Sequence, residues 1–375
     1  MVEKMYRDTW AEINLDAIAY NITQIKEKLP QDSNVIAVVK ANAYGHGIVP
    51  VAKKALESGA SGLAVAILEE ALTLREAAIT APILVLGFVP AKYASVAAEH
   101  NITLTFFQLD WIKEVGKQDL INPLKLHLKV DTGMGRIGIR SDEEMVSILQ
   151  EIAKNKNIHL SGIFTHFATA DAEDLSFYRE QTERFEAFLH VFKKYWKKPV
   201  MIHIGNSAAA IRFPEKMYNC VRFGISMYGL YPSQEVREEH AIQLQQAFSL
   251  HSRLVHVKKI AKGESVSYGQ TYIAKNDEWI GTIPIGYGDG WNRKLQGMNV
   301  LVNGKRMPII GRICMDQTMI KLDGYYDVGT KVTLIGSEGN DCIEMDEIAR
   351  YLDTITYEIP CMINERIPRV YVDSN

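Results

Sequence analysis

The chain has 375 residues, of which 47% are hydrophobic and 23% charged, and a formal net charge of -3. That balance suits a globular protein and leaves no electrostatic footprint for nucleic acid or an anionic membrane surface. Four widely spaced cysteines (Cys220, Cys314, Cys342, Cys361) form no CxxC pair, so neither a disulfide framework nor a metal site is expected.

The stretch from Met1 to Arg7 lacks the apolar core of a signal peptide, and no apolar run is long enough to span a bilayer. A cytoplasmic protein is therefore expected. Asp16 is placed to cap a helix whose apolar positions Ile18, Ile22, Ile25 and Leu29 recur at helical spacing. Val35-Ile36-Ala37-Val38-Val39 then reads as a buried strand ending in Lys40, followed by small residues, Tyr44 and two glycines in a tight loop. A lysine at the mouth of an apolar strand is costly unless something uses it. Burial lowers a lysine pKa, and the neutral amine can attack a carbonyl to form a Schiff base. The plainer reading is a lysine that snorkels its charge out of a strand end.

Pro50 and Gly59 bracket a helix over residues 51–58. Strand patterns recur at 62–67, 82–87, 102–106, 124–130, 159–166, 200–204 and 220–224. Helical patterns at 69–78, 91–99, 111–115, 143–154, 175–195 and 207–211 separate them. Eight consecutive strand–helix units predict an α/β fold, a closed (β/α)8 TIM barrel rather than an open doubly wound sheet. The missing GxGxxG after the first strand also argues against a dinucleotide fold. From about Gln243 the pattern turns β-rich, with Asn303-Gly304 signalling a hairpin and one helix at 345–352. Pro232-Ser233-Gln234 reads as a hinge. The expected domains are a barrel over 1–240 and a mostly β C-terminal domain over 241–375.

Alternate residues of a barrel strand point inward, and active residues gather at strand C-terminal ends. Lys40, Lys129, His166, His203 and Arg222 fall on such positions and are expected to converge in the mouth, which suits an anionic ligand. Gly205-Asn206-Ser207 and Gly224-Ile225-Ser226 follow the seventh and eighth strands, where barrels often bind phosphate. Tight turns favour the same residues. A reactive lysine beside a phosphate cradle points to pyridoxal phosphate; a sugar-phosphate aldolase is the rival. An inward lysine at 129 must be paired, neutralised or modified. Conversion to a carbamate would invert its sign and let it hold an arginine; the alternative is a salt bridge with Asp131.

Four segments together resemble the alanine racemase family along nearly the whole chain. They are Ala37-Val38-Val39-Lys40-Ala41-Asn42-Ala43-Tyr44-Gly45-His46-Gly47, Lys129-Val130-Asp131-Thr132-Gly133-Met134-Gly135-Arg136-Ile137-Gly138, Ser267-Tyr268-Gly269-Gln270-Thr271-Tyr272 and Gly311-Arg312-Ile313-Cys314-Met315-Asp316-Gln317. The resemblance implies pyridoxal 5'-phosphate bound through Lys40, which also acts as base on the D-amino acid. It implies Tyr268 as the opposite base, acting on the L-amino acid and supplied by the partner subunit of a homodimer. Tyr44, Ser207, Gly224, Ile225 and Tyr357 match phosphate-holding positions, with Asn206 beside them. Arg222 matches the arginine facing the pyridine nitrogen, and His166 the residue bridging Arg222 and Tyr268. Arg136 and Met315 match binders of the substrate carboxylate, Arg136 also contacting the cofactor's phenolic oxygen. Tyr287 and Tyr357 resemble tyrosines that narrow the way in, and Lys129 a lysine that some members carbamylate. The implied activity interconverts L- and D-alanine and supplies D-alanine for peptidoglycan. A broader amino-acid racemase, a decarboxylase of the same architecture and a pyridoxal-phosphate carrier are the alternatives.

Overall fold

The computed structural model describes residues 6–372; the first five residues, part of the stretch read above for a signal peptide, and the last three lie outside the described residues. The described chain divides into two compact units.

One unit, residues 17–43 and 48–245, is the barrel. Strand β1 (Thr9–Asn14) precedes it, and its eight parallel strands are β2 (Asn34–Val38), β3 (Gly62–Val65), β4 (Ile83–Val85), β5 (Thr103–Phe106), β6 (Leu124–Lys129), β7 (Ile158–Phe164), β8 (Met201–Gly205) and β9 (Cys220–Phe223). The sheet closes because β2 pairs with β9, placing Ile36 opposite Arg222. These are the eight strands that the alternating pattern predicts. Strands enclosed by helices have no solvent face, which is why β3, β4, β5 and β9 are buried at every residue. The long helix Ser176–Tyr195 buries Tyr178, Gln181, Phe185, Leu189 and Phe192, a stripe spaced by three or four residues. Each large apolar side chain buried in that stripe contributes about 1.5–3 kcal/mol.

Three expectations need correction. Asp16 lies in the first turn of the helix Leu15–Lys28 rather than at its cap. The expected hinge is ordered, since Ser233 caps the helix Gln234–Glu238 and its hydroxyl donates to Asp171 O at 2.7 Å. The barrel unit also runs to residue 245, not 240. Asn21, on the first helix, makes paired amide bonds to Gln245, both 2.8 Å, and so ties residues 241–245 to the barrel.

The other unit gathers residues 6–16, 44–47 and 246–372. Strands β10 (Phe248–Arg253), β11 (His256–Ile260), β12 (Ser265–Val266), β13 (Tyr272–Ile273), β14 (Glu278–Ile283), β15 (Asn299–Val302), β16 (Lys305–Pro308), β17 (Thr318–Leu322), β18 (Lys331–Glu338), β19 (Asp341–Ile343) and β20 (Arg369–Val372) build its sheets. The N-terminal strand, expected within the barrel domain, belongs here: β1 pairs antiparallel with β10 and parallel with β20. It alternates buried Thr9, Ala11 and Ile13 with half-buried neighbours, the signature of a strand with one core face. The hairpin β15–β16 turns at Asn303 (φ 49°) and Gly304 (φ 74°), the paired positive φ that an Asn-Gly turn supplies.

Candidate active site

The chain leaves β2 through Lys40 into an unusual turn. Ala41, Asn42, Ala43 and Tyr44 all take left-handed φ values between 51° and 54°. The sequence suggests a tight loop whose glycines provide the freedom; instead four consecutive non-glycine residues carry it. Each costs about 1–2 kcal/mol in that region. The surroundings hold it there. Glu70 accepts from Ala41 N–H at 2.6 Å through one oxygen and from Ala66 N–H at 2.8 Å through the other. Asn42 Oδ1 accepts from Ile48 N–H at 2.8 Å. Glu70 was not legible as a site residue, because Ile67-Leu68-Glu69-Glu70 lacks the Ser or Thr that flags a capping box.

Across β9, Arg222 is buried with only neutral acceptors. One terminal nitrogen donates to His203 Nδ1 (2.7 Å) and His203 O (2.8 Å). The other donates to Thr165 O (2.8 Å), His166 Nδ1 (3.2 Å) and Ile204 O (3.2 Å). Its Nε has no protein acceptor, and the side chain no carboxylate, among the described residues. Burial pulls the guanidinium pKa down to about 10. The histidines respond in kind: burial, then the charge of Arg222, holds His166 and His203 well below their ordinary values and takes His127 to about 3. All three rings are neutral at pH 7.

Lys129 is buried, and its Nζ donates to Val130 O at 2.9 Å. It has no ion pair among the described residues, so the alternative of a bridge to Asp131 is not realised. Asp131 instead accepts from the Gly133 and Gly135 N–H groups, each at 3.0 Å, and pairs with Arg140. Burial, helped by Arg222, lowers the Lys129 pKa to about 7. Arg136, on the same loop, is exposed. Lys40, Lys129, Arg136, His166, His203 and Arg222 thus interact electrostatically as one cluster.

The loops after β8 and β9 meet. Ser207 Oγ accepts from Gly224 N–H at 3.0 Å, and Asn206 caps the next helix by accepting from Ala209 N–H at 3.0 Å. The Ser226 hydroxyl, beside Ile225, is buried without a partner. A spare buried hydroxyl and a spare guanidinium N–H fit a phosphorylated pyridine, which needs donors at both ends.

The second unit carries the remaining residues. Tyr268 is 71% exposed and Met315 54%. The two segments are tied together, as Ser267 Oγ donates to Arg312 O at 2.5 Å. Tyr287 N–H donates to Cys314 O (3.1 Å) and Gly288 N–H to Met315 O (2.8 Å). The Met315 N–H has no protein acceptor among the described residues. The rings of Tyr44 and Tyr357 pack at a tilt of 52° with centroids 6.3 Å apart. Burial, then Tyr357 and Cys361, raises the Tyr44 phenol.

This barrel mouth, in a chain that continues into a β-rich unit, defines a two-domain amino-acid racemase. The family models described as the alanine racemase N-terminal and C-terminal domains match residues 13–232 and 247–371, and the chain belongs to the alanine racemase family. It is 52% identical to the alanine racemase of Anoxybacillus flavithermus, covering 99% of this chain and 97% of that one. It is 53% identical to the alanine racemase of Geobacillus stearothermophilus, covering 98% and 94%. The crystal structure of Bacillus anthracis alanine racemase with bound L-Ala-P superposes with a TM-score of 0.95 at 50% identity over 98% of this chain and 96% of that one. A histidine racemase from Leuconostoc mesenteroides superposes with a TM-score of 0.90 at 35% identity over 98% and 99%. No helix of the described residues is long and apolar enough to cross a membrane.

Proposed function

We propose that this chain racemises alanine with pyridoxal phosphate as cofactor. The observation that carries the reading is Arg222, which is held by neutral acceptors and keeps one N–H spare on the strand neighbouring Lys40. When bound, the cofactor's conjugated ring withdraws electrons from the substrate α-carbon and acidifies its proton. Inverting that carbon requires a base on each face, and two different groups do this. Lys40 serves the D-face. Tyr268 serves the L-face and comes from a second copy of the chain in a homodimer; its exposure supports this reading.

Arg222 would keep the ring nitrogen unprotonated, because a cation facing that nitrogen opposes its protonation. Arg222 would in this way disfavour side reactions of the bound group. His166 would link Arg222 to Tyr268. Arg136 and the Met315 N–H would hold the substrate carboxylate. Tyr44, Asn206, Ser207, Gly224, Ile225 and Tyr357 would hold the phosphate, while Tyr287 and Tyr357 narrow the approach. Lys129, as a carbamate, would orient Arg136. A cytoplasmic enzyme supplying D-alanine for peptidoglycan is the matching role.

Purified protein loaded with pyridoxal phosphate and given L-alanine should reach equal amounts of the two enantiomers, read by chiral chromatography. Release of carbon dioxide without D-alanine would mean a decarboxylase, and no turnover at all a carrier. The same assay with L-histidine tests the broader-racemase reading.

A further inference from the structure

Behind Arg222 lies a second histidine that neither the family-like motifs nor the reaction above uses. His127 Nδ1 is 2.9 Å from His203 Nε2, and His203 Nδ1 is 2.7 Å from Arg222. His127 is 6% exposed and His203 fully buried. A guanidinium only donates, so His203 Nδ1 must accept. A neutral His203 then carries its proton on Nε2 and donates it to His127 Nδ1. Each ring is thereby fixed as the Nε2–H tautomer.

The barrel is locally reshaped around this pair. The β6–β7 register shifts between Leu126 and His127, and the β8–β9 register shifts between His203 and Gly205. Opposite His127 stands Gly162, where a Cβ would lie 2.6 Å from three atoms of the imidazole ring. Phe164 stacks on His203 with centroids 4.6 Å apart and planes 9° from parallel. Stacking confines the ring to a plane but does not choose between its two flipped orientations. A flipped His203 would offer carbon atoms where nitrogen now meets Arg222.

We propose that His127 is a positioning residue for Arg222, acting through His203: it selects the ring orientation that presents a bare nitrogen to the guanidinium. The device orients the arginine with a neutral acceptor. A carboxylate in the same place would orient it and also cancel its charge. The consequence for turnover rests on the proposed racemase reading; the hydrogen-bond relay does not.

The test uses 15N-histidine-labelled holoenzyme. The relay predicts a scalar coupling across the His203 Nε2–H···Nδ1 His127 hydrogen bond and an Nε2–H tautomer for both rings. His127→Asn keeps an acceptor at the Nδ1 position, because Asn Oδ1 occupies nearly the same place relative to Cγ. His127→Leu fills similar volume without one. The Leu variant should lose roughly tenfold or more in kcat with KM within about twofold, and its His203 signals should shift, as for a group displaced slightly from its working position. The Asn variant should keep kcat within about threefold of wild type. Equal kcat and equal His203 spectra in the two variants would overturn the proposal. Should the Leu variant not fold, absence of the wild-type coupling overturns it. If the wild type shows the coupling but racemises nothing, the racemase reading fails and the relay stands.

Discussion

Lys129 shows how one side chain's surroundings set its chemistry. Its neighbour Asp131 is committed to two backbone N–H groups, so the buried ammonium forms no ion pair among the described residues. With the pKa lowered to about 7, chiefly by burial, the neutral amine becomes accessible near neutral pH. A neutral amine adds carbon dioxide and releases a proton, giving a carbamate that remains anionic. We expect 13C-bicarbonate to produce one slowly exchanging carbamate resonance in the wild type and none in Lys129→Ala. A spectrum without that resonance would leave Lys129 as an unmodified amine. The sign of its linkage is also fixed. Between pH 7 and the ordinary lysine range the unfolded chain binds a proton that the folded one does not, so this group makes stability rise with pH over that interval.

At the scale of elements, the turn after β2 is the least predictable part of the fold. Four left-handed residues store strain, and Glu70 holds the turn by accepting from Ala41 N–H while its other oxygen accepts from Ala66 and Ile67 N–H at the start of its own helix. Glu70→Ala should lower unfolding free energy by about 0.5–2 kcal/mol in urea titrations, the range for losing a side chain that caps a helix start. It should also reduce racemase activity through Lys40, which starts the turn. A variant with wild-type stability and turnover would show that the turn holds itself. The same element marks the limit of sequence reading. Strand–helix alternation depends on local period, so all eight barrel strands were legible, as was the Asn303-Gly304 hairpin. The convergence of Lys129, His166, His203 and Arg222 was legible too, because inward positions follow from the pleat. Glu70 was not, since its partner Ala41 lies 29 residues away and is brought to it by the pairing of β2 with β3. Nor was the partnership of β1 with β20, which joins strands more than 350 residues apart. No periodicity encodes such a pairing.

For the whole molecule, four histidines held neutral by their surroundings set the acid limit. His127 and His251 are pushed to about 3, and His166 and His203 lie well below the ordinary value, in each case chiefly by burial. Below about pH 6.5 the unfolded chain takes up protons that the folded chain refuses, so stability falls as pH drops toward 3. Each such group contributes up to about 1.4 kcal/mol per pH unit. Melting temperature should therefore fall steeply from pH 7 to 5, and His251→Asn should flatten the profile. An unchanged slope in that variant would assign the acid sensitivity elsewhere. The proposed homodimer makes a separate prediction. Lys40→Ala and Tyr268→Phe should each be nearly inactive. Subunit exchange between equal amounts should restore about a quarter of wild-type activity, since half the dimers would hold one intact site. No recovery on verified exchange would mean that both bases come from one chain.

The pairing of β1 has a consequence for synthesis on the ribosome. Residues up to 245 contain every strand needed to close the barrel, so that unit can form while later codons are still being read. Strand β1 emerges before all of them yet finds its first partner only at residues 248–253 and its second only at 369–372. Until residue 253 is made it has no strand partner, and until 372 it keeps one open edge, the kind of edge that recruits other nascent chains. The first strand in sequence is therefore the last to be completed, and truncation before residue 248 would leave it unpaired beside an otherwise finished barrel.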